Sequence, residues 1–481
     1  MNHNFGSYAG GTWSSASTPA SSIEVINPTT ERVIAHVAIA APSAVDQAVA
    51  AARDALPGWS NTPVSERAAA LRRIGDAVAK RQQRLTEVIT QEVGTPHKLS
   101  SIIQVGLPMS NFGRAADTAE QHEFSEEVGN SLVLQEPRGI VACITPWNFP
   151  LHQLVAKVAY ALAAGCTVVA KPSELTPLSA IELTEAIDEA GLPPGVFNLV
   201  LGGPAVGEHL VGHPGIDLVS FTGSPRAGRS ISELASRNLT PVALELGGKS
   251  PNVILADADL EKAIPDALNK CFMNSGQTCT ALTRLIVPED RLDEVEELAA
   301  EGTAKWRLGD PFDKATRLGP VISKEQQASV RGYITRAIDQ GARLIAGGPD
   351  QPGHLPRGFF VQPTIFSDVK PDFEIAQEEV FGPVLSILSY RDEDEAIRIA
   401  NGTRYGLSAG VWSADPARAD KVSRLIRAGQ VDINGAPFNP LAPFGGSGMS
   451  GYGREFGRHG LQEFLAPKAI QKTLTEEKNH A

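Results

Sequence analysis

Between residues 139 and 245 the chain alternates short runs of β-branched and apolar residues with longer stretches of helical periodicity. Strands are predicted over residues 140–145, 167–171, 196–201, 218–222 and 242–246, and helices begin near Pro150, Pro177, Ala205 and Ser224. A helical stretch over 65–93, closed by Gly94, precedes them. Strands separated by helices are the pattern of a doubly wound, mainly parallel α/β sheet. Such sheets bind ligands beyond the carboxyl ends of their strands, where helix N-termini point free N–H groups into the crevice. Asn148, Lys171, Glu174, Gly223, Ser224 and Glu245 all fall at those ends.

A second alternating region follows, with strands predicted near 284–287, 343–346, 384–390 and 409–412. The expected organisation is a Rossmann-like nucleotide-binding domain from 1–119 and 137–246, and a second α/β domain from 247–464. Segments 120–136 and 465–481, where short polar and apolar positions alternate, read as a small β element for oligomerisation.

A length of 481 residues exceeds what one growing core supports, consistent with more than one domain. The 43 Lys+Arg against 55 Asp+Glu leave a net charge of −12, which disfavours nucleic acid as a partner. Residues 1–13 lack a basic then apolar leader, and the longest apolar run, 158–170, is too short to span a bilayer. No membrane partner is expected. Four cysteines without a C-x-x-C pair predict neither a disulfide framework nor a metal site, and suit a cytoplasmic setting.

Two motifs fail their context. Gly446, Gly448 and Gly451 spell G-x-G-x-x-G after a Pro- and Asn-rich loop, where a dinucleotide fingerprint needs a preceding strand. Gly248-Lys249-Ser250 ends like a phosphate-binding loop, but Ala243 stands where its first glycine belongs. Cys279 is more informative, because it lies among small and amide-bearing residues in Asn274-Ser275-Gly276-Gln277-Thr278-Cys279-Thr280. Taken alone it is better read as inert packing than as a reactive group, and Cys143, Cys166 and Cys271, in apolar runs, fit packing too.

Seven segments in order resemble the aldehyde dehydrogenase superfamily along nearly the whole chain: Pro146-Trp147-Asn148-Phe149-Pro150, Lys171-Pro172-Ser173-Glu174, Phe221-Thr222-Gly223-Ser224, Leu244-Glu245-Leu246-Gly247-Gly248-Lys249, Gly276-Gln277-Thr278-Cys279, Glu379-Val380-Phe381-Gly382-Pro383 and Pro443-Phe444-Gly445-Gly446. The resemblance implies oxidation of an aldehyde to its acid by NAD in the hydrolytic, non-acylating branch. It makes Cys279 the nucleophile, Asn148 the oxyanion donor, Glu245 the base that activates water, and Glu455 a carboxylate that passes protons to that base. It implies a cofactor surface of Ile144, Thr145, Pro146, Trp147, Lys171, Glu174, Gly207, Phe221, Gly223, Ser224, Gly228, Leu246, Gly247, Glu379 and Phe381. Glu174 favours NAD over NADP, since a carboxylate accepts from ribose hydroxyls and repels a 2′-phosphate.

By motif position, Phe149, Gln153, Ala156, Thr278, Thr280, Phe438 and Phe444 are expected to line the aldehyde tunnel, whose aromatic walls suit an apolar or aromatic substrate, while Gln153 and Ala156 also admit a bulkier or partly polar one. No arginine is clearly placed to grip a substrate carboxylate, although Arg284, close after the nucleophile, could be argued. A homodimer or homotetramer is expected. Two rivals remain: an acylating enzyme that delivers the acyl group to coenzyme A, against which Glu245 argues, and an idle relative that only binds nucleotide, against which Cys279, Glu245 and Asn148 argue together.

Overall fold

The computed structural model describes residues 5–15 and 22–473, which form three sheets. Residues 1–4, within the segment read for a leader, and residues 474–481 of the expected oligomerisation element lie outside the described residues. At the centre of the first, ten-stranded sheet are Val242–Glu245, Leu218–Thr222, Ile140–Ile144, Thr167–Lys171 and Phe197–Leu199, in that order and all parallel. Helices cover both faces, so strands such as Ile140–Ile144 are buried at every position, and continuous apolar runs mark them in the sequence.

The sheet is less purely parallel than its pattern predicts. Gly451–Tyr452 adds antiparallel to the free edge of Val242–Glu245, and Phe5–Ala9 adds antiparallel to Phe197–Leu199. Residues 451–464, expected in the second domain, thus return to the first sheet and bring Glu455 toward Glu245. The expected helix over 65–93 is two, Val64–Lys80 and Gln82–Val93, because Arg81 leaves helical geometry (φ −98°, ψ 5°) without a glycine or proline to signal it. Gly94 ends the second in the left-handed conformation, as helix-terminating glycines do.

The second sheet contains the four strands expected there and three that were not: Pro251–Ile254, Thr364–Ser367 and Gln430–Ile433. Each has four residues and includes Pro, Asn, Ser, Gln or Asp, so pairing with neighbours rather than intrinsic preference makes them strands. Ser125–Val128, Ser131–Pro137 and Leu465–Gln471 form a separate antiparallel sheet of three. Among the described residues no helix is long and apolar enough to cross a membrane.

Candidate active site

Glu245 ends its strand between Thr222 on one side and Gly451 on the other. It is 4% exposed, and neither carboxylate oxygen has a hydrogen-bond partner among the described residues. Burial, and then the neighbouring Glu455 charge, raise its pKa well above the carboxylate range. Gly445 makes room for it, since a Cβ there would lie 2.6 Å from Glu245 Oε1.

Cys279 follows the helix Leu260–Phe272 on a loop of unusual backbone. Asn274 (φ 53°), Ser275 (φ 58°) and Gly276 (φ 72°) are all left-handed. Only glycine fits at 276, because a Cβ would stand 2.1 Å from the Gly382 carbonyl oxygen. At Gly248 an added Cβ would lie 2.6 Å from the Cys279 carbonyl oxygen, so the loop rests on bare backbone. Burial first, then the charges of Glu379, Glu245 and Glu455, raise the Cys279 thiol, while the Thr280 N–H opposes them. Cys143, Cys166 and Cys271 are buried, their thiols pushed up to about 12, 11 and 12.

Asn148 does not cap the helix Pro150–Ala164; Phe149 holds that position, and no side chain bonds there. Instead Asn148 Nδ2 donates to the Gln277 carbonyl at 2.9 Å. An amide nitrogen carries two hydrogens, so the second stays available on the cavity that Asn148 and Cys279 both line.

Glu455 accepts from Lys157 Nζ at 2.6 Å, a buried ion pair. Lys157 is one of the residues the sequence reading missed. A lysine inside the apolar run Val155-Ala156-Lys157-Val158-Ala159 is the signal that could have found it, since such a charge is buried only with a partner.

A cavity of about 1120 Å³ opens over the strand ends. Ile144, Thr145, Pro146, Trp147, Lys171, Glu174, Gly207, Phe221, Gly223, Ser224, Leu246, Gly247, Glu379 and Phe381 all line it. Gly228 does not: it lies in the first turn of helix Pro225–Ala235, where its missing side chain lets Leu246 pack close. Ser224 caps that helix by accepting from the Ala227 N–H at 3.2 Å. Lys171 Nζ lies 3.9 Å from Glu174. Across the cavity, Glu379 accepts from the Gly248 N–H at 3.1 Å and is raised to about 7, chiefly by burial. Phe381, left-handed at φ 54°, sets its ring edge-on to Trp147 at 5.3 Å. Gln326, Ser329 and Tyr333, from helix Lys324–Asp339, close the same wall and carried no signal in the sequence.

The chemistry of this surface fits a dinucleotide. A carboxylate and an ammonium stand ready for ribose hydroxyls, a helix N-terminus faces the cavity for a pyrophosphate, and a buried carboxylate lies near the cysteine.

Of the expected substrate residues, Gln153 lines this cavity and the others do not. Phe149 and Phe444 are buried, Thr278 is buried with its hydroxyl donating to the Met273 carbonyl, and Ala156 lies in the main hydrophobic core. Thr280 is half-buried. Phe438, 38% exposed, packs edge-on to Phe444 and Phe456. Arg284 meets no substrate: it is 1% exposed and donates to the carbonyls of Lys249, Ile399 and Ala400. Lys249 is wholly buried, lowered to about 7 by burial and by Arg284, unlike a lysine that cradles phosphate. Gly448–Ser450 is one tight turn and Gly451–Tyr452 the edge strand, so that glycine run is no dinucleotide loop.

The model of the aldehyde dehydrogenase family matches residues 13–470. A 3-succinoylsemialdehyde-pyridine dehydrogenase from a Pseudomonas species is 46% identical over 454 residues, 93% of this chain and 94% of that one. A cysteine-to-alanine mutant of aldehyde dehydrogenase C from Pseudomonas syringae, solved with NAD+ and octanal, superimposes with a TM-score of 0.96 at 46% identity, over 97% of this chain and 96% of that one. An aldehyde dehydrogenase from Mycobacterium tuberculosis, solved with NAD+, does so with a TM-score of 0.96 at 40% identity, over 98% and 99% of the two chains.

Proposed function

The chain belongs to the aldehyde dehydrogenase family, and from that premise we propose which of its residues carry out the NAD-dependent oxidation. NAD, when bound, supplies the acceptor for the hydride that leaves the substrate carbon. The observation that carries the assignment is that Cys279 and Asn148 share the cavity lined by Lys171, Glu174 and Glu379, while Glu245 stands buried with free carboxylate oxygens at the neighbouring strand end.

Cys279 gives its proton to solvent in the open cavity that it lines, and its sulfur adds to the aldehyde carbon, because hydride leaves readily only from a tetrahedral, electron-rich centre. The free hydrogen of the Asn148 amide, together with the Cys279 backbone N–H, meets the oxygen that gains charge in this step. After hydride departs, the acyl group is a thioester on Cys279. Glu245 takes a proton from water, the resulting hydroxide equivalent attacks the thioester carbon, and the carbon–sulfur bond breaks to release the acid and regenerate the cysteine. The proton on Glu245 leaves by way of Glu455, held by Lys157. Lys171 and Glu174 bind the adenine ribose, Ser224 and its helix the pyrophosphate, and Glu379 and Phe381 the nicotinamide ribose and ring.

The substrate we read for this cavity, with Gln153 on its wall, is an apolar or aromatic aldehyde, or a bulkier and partly polar one. Octanal in one relative and a pyridine semialdehyde in the name of another lie within that class. The domains are taken as 1–119 with 137–246, to which the returning strand Gly451–Tyr452 adds, the rest of 247–464, and 120–136 with 465–481. The three-stranded sheet, separate from both larger ones, supports a homo-oligomer, and four unbridged cysteines support a cytoplasmic location. A panel of aldehydes, each assayed with NAD and without coenzyme A for NADH and free acid, tests the reading. Acid should form; product only in the presence of coenzyme A would overturn the hydrolytic assignment.

A further inference from the structure

Asn148 is held by its backbone as well as by its amide. Two buried side chains converge on its carbonyl oxygen: Gln104 Nε2 donates to it at 2.9 Å and Asn274 Nδ2 at 2.9 Å. Thr95 ties the two donors together, its hydroxyl donating to Asn274 Oδ1 at 2.6 Å and accepting from Gln104 Nε2 at 3.3 Å. Asn274 also reaches the Gln277 carbonyl at 3.4 Å, the group that fixes one Asn148 amide hydrogen. Gln277 in turn donates to the Asn274 carbonyl at 3.1 Å and accepts from the Ile322 N–H at 2.8 Å. Thr95, Gln104, Asn148, Asn274 and Gln277 are each at most 2% exposed, so the bonds form in a setting that strengthens them.

Gln104 belongs to Ser100–Val105, which is wound as a π-helical turn: the Gly106 N–H bonds to the Ser101 carbonyl, five residues back. A π-turn inserts one residue into the helical register and re-aims the side chains after it, and such turns recur at functional sites. Nothing else in the chemistry proposed above uses this segment.

We infer that Gln104, with Thr95 and Asn274, is a positioning residue for the oxyanion site: the π-turn aims Gln104 at the Asn148 carbonyl, and the circuit fixes the Asn148 amide relative to the Cys279 loop. Asn274 belongs to that loop and Gln104 to the other wall, so the donor and the nucleophile share one clamp. The inference rests on Asn148 being the oxyanion donor. A donor free to swing loses the alignment that makes a preorganised site effective.

The test measures the pre-steady-state burst of NADH with octanal in the full-length enzyme, and NAD binding by fluorescence titration. Gln104→Met removes the donor at similar volume. The burst rate should fall roughly 10- to 100-fold, as small misplacements of reacting groups do, with NAD affinity unchanged. Gln104→Met combined with Asn148→Ala should be no slower than Asn148→Ala alone. A wild-type burst in Gln104→Met, or losses that multiply in the double variant, would overturn the inference. Thr95→Val reads the same circuit if Gln104→Met does not fold. If Asn148→Ala slows the burst and neither Gln104→Met nor Thr95→Val does, only the positioning role falls; if Asn148→Ala itself bursts at the wild-type rate, the oxyanion assignment falls with it.

Discussion

Lys157 Nζ and Glu455 Oε1 meet at 2.6 Å, with Lys157 1% exposed and Glu455 7%. The pair joins the helix that begins beside Asn148 to the segment 451–464 that returns to the first sheet, and Glu455 adds its charge to the burden on Glu245. Removing one member of such a pair strands the other in the interior. Lys157→Met should therefore lower stability by about 3–5 kcal/mol. Lys157→Met with Glu455→Leu should recover much of that loss while leaving acid release slow. Calorimetric Tm together with steady-state turnover checks both.

Glu245→Gln should still release one equivalent of NADH in a burst, because the thioester forms without the base. Steady turnover should then fall by about 10²- to 10⁴-fold, the usual contribution of a general base. In the wild type the carboxylate form is the active one, and burial and Glu455 raise its pKa. Thioester hydrolysis should thus accelerate with pH through a range above that of ordinary carboxylates. A pH-independent hydrolysis rate from pH 5 to 9 would count against Glu245 as the base.

Asn148→Ala should slow formation of the thioester by about 2.7–4 kcal/mol of barrier, the cost of one oxyanion donor. Cofactor affinity should hold, since the side chain bonds to the Gln277 carbonyl. Stopped-flow NADH formation beside an NAD titration separates the two.

Glu174 lies 33% exposed in its side chain, 3.9 Å from Lys171, on the proposed ribose wall. kcat/KM should be higher with NAD than with NADP, and Glu174→Gln should narrow that ratio by raising the NADP value. Equal efficiency with both cofactors in the wild type would remove the carboxylate from the selection.

Glu92 is buried in helix Gln82–Val93 and accepts from the N–H groups of Leu178 (2.9 Å) and Ser179 (3.1 Å), so it satisfies the start of helix Leu178–Glu189. Burial, the largest cause, raises it from 4.5 to about 7. With a raised folded-state pKa, its contribution is fully present below 4.5 and is lost as pH rises through about 7. Glu92→Gln should remove that dependence, so its Tm should gain on the wild type between pH 5 and 8. Glu92→Ala should cost about 1–3 kcal/mol below pH 4.5 by orphaning two buried donors, a cost that shrinks as pH rises through about 7.

The periodicity of residues 139–245 was enough to find every strand at the centre of the first sheet, because strands covered on both faces are mostly apolar. It did not find Pro251–Ile254 or Gln430–Ile433, whose polar residues take strand form only because a partner strand is already there. The proposed cofactor residues that line the cavity came from motifs on loops at strand ends, where local sequence fixes the backbone. Gln326, Ser329 and Tyr333 were not, because a helix from the other half of the chain carries them to the same cavity.

Sequence alone thus determined the fold class and the family, and it singled out Cys279, Glu245 and Asn148 as the candidates proposed above, since backbone form and reactive groups are written in contiguous residues. Only the tertiary structure decided what holds them. Gln104 meets Asn148 across 44 positions, and Lys157 meets Glu455 across 298. Both are burial effects: an amide and an ammonium with no local partner become defined only when distant backbone closes over them and excludes the water that would otherwise satisfy them.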